Sequence, residues 1–251
     1  MDLFQLEKRC LCVLSETIRS LENGFQLFDG YHFSWLMLTV LVIYIMYKMY
    51  SGADLAGQRK IKIRWALVIL LLESIKNVLL IQQGEFSYDS LPLHLCGLGI
   101  FIVLAHALLK DHRMDMLLYC LTMPGAFMSL ITPNWTDVSA FNYFHFHSFF
   151  FHLLLFAYPV TMLLSKELKL SVRKIWQPIL FLCVTVPIVY VLNVLWGTNF
   201  MFLNKAAEGT PLMLLEHYLG EQYYIIGFIG LVLIFWLLLL LPLIICNKSK
   251  R

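Results

Sequence analysis

Apolar residues fall in long stretches along this chain, and seven of them reach the ~20 residues that a helix needs to cross a bilayer. They run from Tyr31 to Tyr50, Ile63 to Gln82, Leu91 to Leu109, Asp115 to Thr132, Phe144 to Leu164, Trp176 to Trp196 and Gln222 to Ile245. Backbone groups in hydrocarbon must satisfy one another, so each stretch predicts a helix. No internal repeat is visible. The opening MDLFQLEKRCLCVLSETIRSLENG differs: Leu3, Leu6, Cys10, Val13, Leu14, Ile18 and Leu21 recur at helical spacing between charges. That pattern predicts an amphipathic helix lying on the membrane rather than a signal peptide, with a cytosolic partner-binding helix as the alternative. The expected organisation is an amphipathic segment over 1–30, one helix-bundle domain over 31–246 and a basic tail over 247–251.

Composition supports lipid as the solvent. Of 251 residues, 60% are hydrophobic and 14% charged, and the mean hydropathy is +0.74; a soluble domain of this size needs more charged surface. Aromatic residues make up 15%, and many of the Trp and Tyr residues lie near segment ends, where interfacial anchors sit. The net charge of +3 is small and lies in short loops, a topology signal and no nucleic-acid footprint. Lys and Arg apportion unevenly across the seven stretches. Arg59, Lys60, Lys62, Arg64, Lys110, Arg113, Lys166, Lys169, Arg173, Lys174, Lys248, Lys250 and Arg251 fall on one side, against Lys8, Arg9, Arg19 and Lys205 on the other. The expected fold is therefore an all-α polytopic membrane bundle of seven spans, N-terminus outside and C-terminus cytoplasmic.

That topology gathers polar residues at the outward ends: Glu73, Lys76, Asn77, Gln82, Gln83, His94, Cys96, His145, His147, His152, Asn193, Asn199 and Asn204. Such groups are costly in a membrane segment and mark a protein interior or a watery cavity. In LESIKN, Glu73, Lys76 and Asn77 share one helix face; they read either as a neutralised pair pinning helix packing or as a group that positions a lipid headgroup or a catalytic neighbour. In LPLHLCGLG, Pro92 suits a first helical turn, while Gly97 and Gly99 permit close approach of a helix or an acyl chain. His94 and Cys96 are two residues apart and point to opposite faces, so a base for Cys96 has to come from another helix.

FNYFHFHSFFFH offers that base. His145, Ser148 and His152 share a face and His147 points elsewhere. A neutral imidazole takes a thiol proton at physiological pH and makes the nucleophilic thiolate; the plainer reading is histidines hydrogen-bonding across helices. Six cysteines are present. Cys120, Cys183 and Cys246 read as small apolar residues, and Cys96 alone sits among polar neighbours. A disulfide from Cys10 or Cys12 to Cys96 is the competing reading in an oxidising compartment. No phosphate loop, HExxH or GxSxG motif occurs. The last span has no lysine for a retinal Schiff base, and the FHFH pair splays its imidazoles, so neither a cofactor nor a metal is expected.

LPLHLCGLG at 91–99, FFFHLLLFAYP at 149–159 and GTNFMFLNKAAEGTPLMLLEHYLG at 197–220 together resemble the YwaF-type integral membrane proteins of bacteria, to which eukaryotic transmembrane protein 164 is similar. The resemblance implies a compact helix bundle related to intramembrane lipid hydrolases, and acyl chemistry on membrane phospholipids or lysophospholipids. It implies Cys96 as nucleophile and His152 as base; from the polar cluster itself, His94, His145, His147, Lys76, Glu73, Asn193 and Asn199 are the candidates to support the oxyanion or headgroup. The resemblance implies a bacterial cell membrane, and the charge bias puts the site on the outer leaflet. Depth argues differently about the base: at helical rise His152 lies about 12 Å beyond Phe144, and Cys96 about 6 Å beyond Pro92, which His147 matches better. The expected function is a thiol acyltransferase or transacylase. The alternatives are a lipid hydrolase using the same pair, and a lipid or small-solute transporter using Glu73, Lys76 and the histidines.

Overall fold

The computed structural model describes residues 22, 24–109, 112–207 and 210–248; the predicted amphipathic N-terminal helix, Cys10, Cys12 and the end of the basic tail lie outside them. Among the described residues the chain is all helix and turn. We label the helices α1 (Gly30–Ser51), α2 (Leu55–Gln83), α3 (Leu95–Leu108), α4 (Asp115–Ile131), α5 (Tyr143–Leu164), α6 (Trp176–Trp196), α7 (Leu212–Leu219) and α8 (Tyr224–Lys248). Starts are set by side chains that satisfy free N–H groups. Asp29 accepts from His32 N (2.7 Å), Asp54 from Gly57 N (2.9 Å) and Asn142 from Phe144 N (2.8 Å). Gly84 (φ 74°) ends α2 and Gly197 (φ 67°) ends α6 in the left-handed conformation that glycine adopts without strain.

The expectation of seven spans is corrected to five among the described residues. The helices long and apolar enough to cross a membrane are α1, α2, α5, α6 with the turn before it, and α8 up to Ile245. Helix α3 has 14 residues, about 21 Å at helical rise against roughly 30 Å of hydrocarbon. The reason is local: Pro92 does not open the helix but sits in a turn before it, His94 is the N-cap, and Leu109 is already extended. Helix α4 is also short, and a π-turn over Leu118–Thr122 interrupts it. Pro124 supplies no N–H for the carbonyl of Cys120, and that oxygen instead accepts from Trp236 Nε1 of α8 at 2.8 Å. The inferred orientation falls with the count, because Lys110 and Arg113 no longer follow a full span in an alternating series. What stands is an all-α, polytopic, integral membrane protein.

Helix α5 is the hub. It packs against α1, α2, α3 and α4, and Phe149, Leu153, Leu155, Ala157 and Tyr158 along it are fully enclosed. Around Phe149 the packing is aromatic: Trp35 stacks on it at 4.6 Å between ring centres and Trp135 meets it edge-on at 5.3 Å. Helices α6 and α8 lie at the edge of this core, which α8 enters through Trp236 and Leu240, and both expose most of their apolar faces, as lipid-facing helices do.

Candidate functional site

Polar side chains collect at both ends of the bundle. At the end where α3 and α5 begin, Glu73 and Lys76 of α2 form an ion pair. Lys76 Nζ also reaches the carbonyl of Ser90 (3.4 Å), and His147 Nε2 stands 3.6 Å from Glu73 Oε2. Glu73 and His147 are buried, and Asn77 Oδ1, one turn along, is enclosed without a hydrogen-bond partner. The i, i+3 spacing read from LESIKN thus makes a contact, and α5 closes over it.

The three histidines of α5 address three different neighbours. His145 bonds Tyr31 Oη (3.0 Å) of α1 and the carbonyl of Val138 (3.1 Å). His147 faces α2. His152 stacks on Trp135 at 5.1 Å between ring centres, and its Nδ1 donates to the carbonyl of Ser148 at 2.7 Å. A carbonyl only accepts, so that bond fixes the neutral tautomer: Nδ1 carries the proton and Nε2 the lone pair.

Cys96 is a free thiol, half-buried in the first turn of α3. Its Sγ lies 3.6 Å from Ser129 Oγ of α4, and Ser129 donates in turn to the carbonyl of Gly125 (3.2 Å). No hydrogen bond joins Cys96 to a histidine among the described residues. Helices α3 and α5 run in the same direction, since Gly99 meets Leu155 and, further on, His106 Nδ1 meets Tyr158 Oη at 2.7 Å. Cys96 and His152 each lie three residues before the Gly99–Leu155 contact, one helical turn back on the same face of each helix.

His94 is held by the loop that follows α6. Its Nδ1 accepts from Met201 N at 3.2 Å, and Phe200 and Phe202 pack against its ring. By the same tautomer argument, neutral His94 presents Nε2 as a donor. Met201 (φ 57°) and Phe202 (φ 54°) are both left-handed, a costly conformation for side chains of that size. Asn193 over-determines the loop: its amide oxygen accepts from Thr198 Oγ1 (2.9 Å) and Phe200 N (2.8 Å), and its Nδ2 donates to the carbonyl of Phe200 (3.0 Å). Asn199 likewise binds Asn204 N, Lys205 N and the carbonyl of Lys205. Both asparagines are therefore loop builders that deliver the Met201 N–H to His94.

At the opposite end Asp115, fully enclosed, accepts from Lys169 N (2.6 Å) and lies 3.0 Å from His112 Nδ1 and 3.6 Å from His106 Nε2. Lys62 and Glu167 pair at 2.6 Å beside it, and Tyr50 bonds Glu167. Partial burial raises the Glu167 pKa, but Lys62 and Tyr50 outweigh it and leave the group below the ordinary carboxylate value. Sequence reasoning missed this second cluster, as it missed Ser129 and Trp135. The signals were present in the intramembrane His106 and the acidic Asp115 opening a predicted span. No three His, Cys, Asp or Glu side chains converge to hold a metal ion among the described residues.

Comparison with curated proteins and with solved structures finds no match. A family model described as the TMEM164 family matches residues 27–240, which takes in both polar ends, the Cys96 turn and the Met201 loop. The chain belongs to the TMEM164 family.

Proposed function

We propose that the protein is a membrane-embedded thiol acyltransferase acting on phospholipid acyl chains, with Cys96 as nucleophile and His152 as base. The observation that carries this reading is the register of α3 and α5, which sets the two residues one turn before a shared contact. The imidazole tautomer agrees with it, because the Ser148 carbonyl leaves the Nε2 lone pair available. In the proposed reaction, Nε2 takes the thiol proton as sulfur attacks the ester carbonyl carbon. The carbonyl π electrons move to oxygen, which the Nε2–H of His94 meets as a hydrogen-bond donor. Collapse expels the lysolipid oxygen, protonated by the imidazolium, and leaves an acyl-Cys96 thioester. An acceptor hydroxyl then takes the acyl chain by the reverse sequence; with water as acceptor the same pair makes the protein a lipid hydrolase. Lys76, paired with Glu73 at the same end of the bundle, would meet the substrate phosphate.

Cys96→Ala and Cys96→Ser in purified, lipid-reconstituted protein test the reading by mass spectrometry of acyl exchange. Loss of exchange and of hydroxylamine-sensitive acylation is the expected result; undiminished exchange in either variant rules out the nucleophile.

A second reading rests on a different observation, the buried Glu73–Lys76–His147 network, which is formed without Cys96. A transporter would use that network to carry a proton or hold a solute. Flux through vesicles that survives Cys96→Ala and disappears in Glu73→Gln is its signature, and flux indifferent to Glu73 removes it.

A further inference from the structure

Between the end of α1, the first turns of α2, the end of α3 and the segment after α5 lies a cavity of about 140 Å³. It is at the opposite end of the bundle from Cys96, and neither reading of the function uses it. Its polar lining is Tyr50, Gln58, Arg59, Lys62 and Glu167; its apolar lining is Leu55, Ala107 and Leu109. We propose that this cavity binds the phosphate of an anionic phospholipid head group.

Charge is the first argument. Lys62 is neutralised by Glu167 at 2.6 Å, whereas Arg59 has no ion pair among the described residues and is solvent-exposed. One positive charge is therefore left over at the cavity, on a planar group whose paired N–H donors match phosphate oxygens. Lys62 retains ammonium protons beyond the one given to Glu167, so a phosphate seated against Arg59 meets a second donor. The Gln58 amide is steered by its bond to the carbonyl of Ala53 (3.1 Å).

The lining chemistry is the second argument. Leu55 is 85% exposed and Leu109 45%, which makes an apolar lip beside a cationic recess. A free inorganic anion has no use for that lip; a lipid covers it with its glycerol and first methylenes. Basic recesses between helix ends are where anionic head groups bind membrane proteins. Lys60, Arg64, Lys166, Lys169, Arg173 and Lys174 surround this end in the sequence and add an attractive field for a negatively charged leaflet.

Native mass spectrometry of the intact protein in detergent tests the proposal, titrating short-chain phosphatidylglycerol, short-chain phosphatidylcholine, glycerol phosphate and inorganic phosphate. Wild type should hold one phosphatidylglycerol, and Arg59→Gln should weaken it about ten- to hundredfold, the usual scale for losing a charged hydrogen-bonding partner. Because Arg59 is exposed and carries no hydrogen bond or ion pair among the described residues, the variant should fold; Lys62→Met with Glu167→Gln, which removes the pair together, should weaken binding as well. Equal affinity for phosphatidylcholine, or unchanged binding in Arg59→Gln, overturns the site. Inorganic phosphate or glycerol phosphate binding as tightly as the lipid overturns the lipid as its ligand.

Discussion

Replacing Gly97 by alanine perturbs the candidate site without removing any of its functional groups. A Cβ at residue 97 would lie 2.6 Å from both the carbonyl carbon and oxygen of Pro92, and 2.7 Å from its Cα. All three are backbone atoms, so no side chain can rotate away. Restoring contact to the ordinary 3.4 Å requires the Pro92 turn to move by roughly 1 Å, and that turn leads directly into His94 and Cys96. Overpacking of this kind costs about 1–3 kcal/mol, while alanine gains about 1 kcal/mol over glycine in a helix. The net destabilisation is thus about 0–2 kcal/mol, small enough for the protein to fold. The functional cost is larger, since about 1 Å of misplacement in a reacting constellation costs on the order of a hundredfold. Gly230→Ala is the control, with nothing within 4 Å of the added methyl, and should be neutral or slightly stabilising. Thermal unfolding in detergent and acyl exchange in vesicles should separate the two variants. Wild-type exchange by a folded Gly97→Ala protein would refute the idea that this turn sets the site.

Three further outcomes follow from the same contacts. Asn193→Ala removes three hydrogen bonds from the 197–205 loop and should lower acyl exchange at least tenfold while helix content holds, as circular dichroism would record; unchanged exchange separates His94 from the chemistry. Asp115→Ala strips the enclosed partner of Lys169 N, His112 and His106 and should cost about 1–3 kcal/mol without affecting exchange in the surviving folded fraction, read by thermal unfolding and specific activity. The Glu167 carboxyl, held below its ordinary value by Lys62 and Tyr50 against the opposing effect of burial, adds stability that is present above the ordinary carboxylate range near ~4.3. This increment disappears as pH falls through the lower folded value; a Glu167→Gln protein should lack that acid dependence, and an unaltered pH–stability profile would contradict the pairing.

How much was legible in the chain depends on whether a feature lives in one segment or between segments. The membrane character, the helices and the Glu73–Lys76 face are local properties, and the bundle displays them. The count of spans failed because hydropathy does not register where a helix begins: Leu91–Leu109 reads as one apolar stretch despite His94 and His106, but Pro92 lies in a turn and only Leu95–Leu108 is helical. Helix α4 was misjudged for a related reason, since a proline inside an apolar run gives no hint that Cys120 O will find Trp236 more than a hundred residues away.

The histidines of α5 show why the site could be narrowed by sequence but not resolved by it. Spacing correctly puts His145 and His152 on one face, yet seven residues are about 10 Å of helix, and the two imidazoles meet different partners. His145 is engaged at both nitrogens, by Tyr31 and Val138, and has no lone pair left to offer a thiol. His147 is turned toward Glu73. Only His152 combines a tautomer fixed by a local carbonyl with the helical face that carries Leu155 against Gly99. Against His145 its distinction is unused bonding capacity, which no spacing rule encodes; against His147, whose Nε2 is also without a hydrogen-bond partner, it is the helical face. This yields a sharp test: His152→Gln should abolish exchange, whereas His145→Gln should lower stability and leave the rate per folded molecule intact. If instead His145→Gln lost the chemistry and His152→Gln kept it, the assignment of the base from bonding capacity would be wrong.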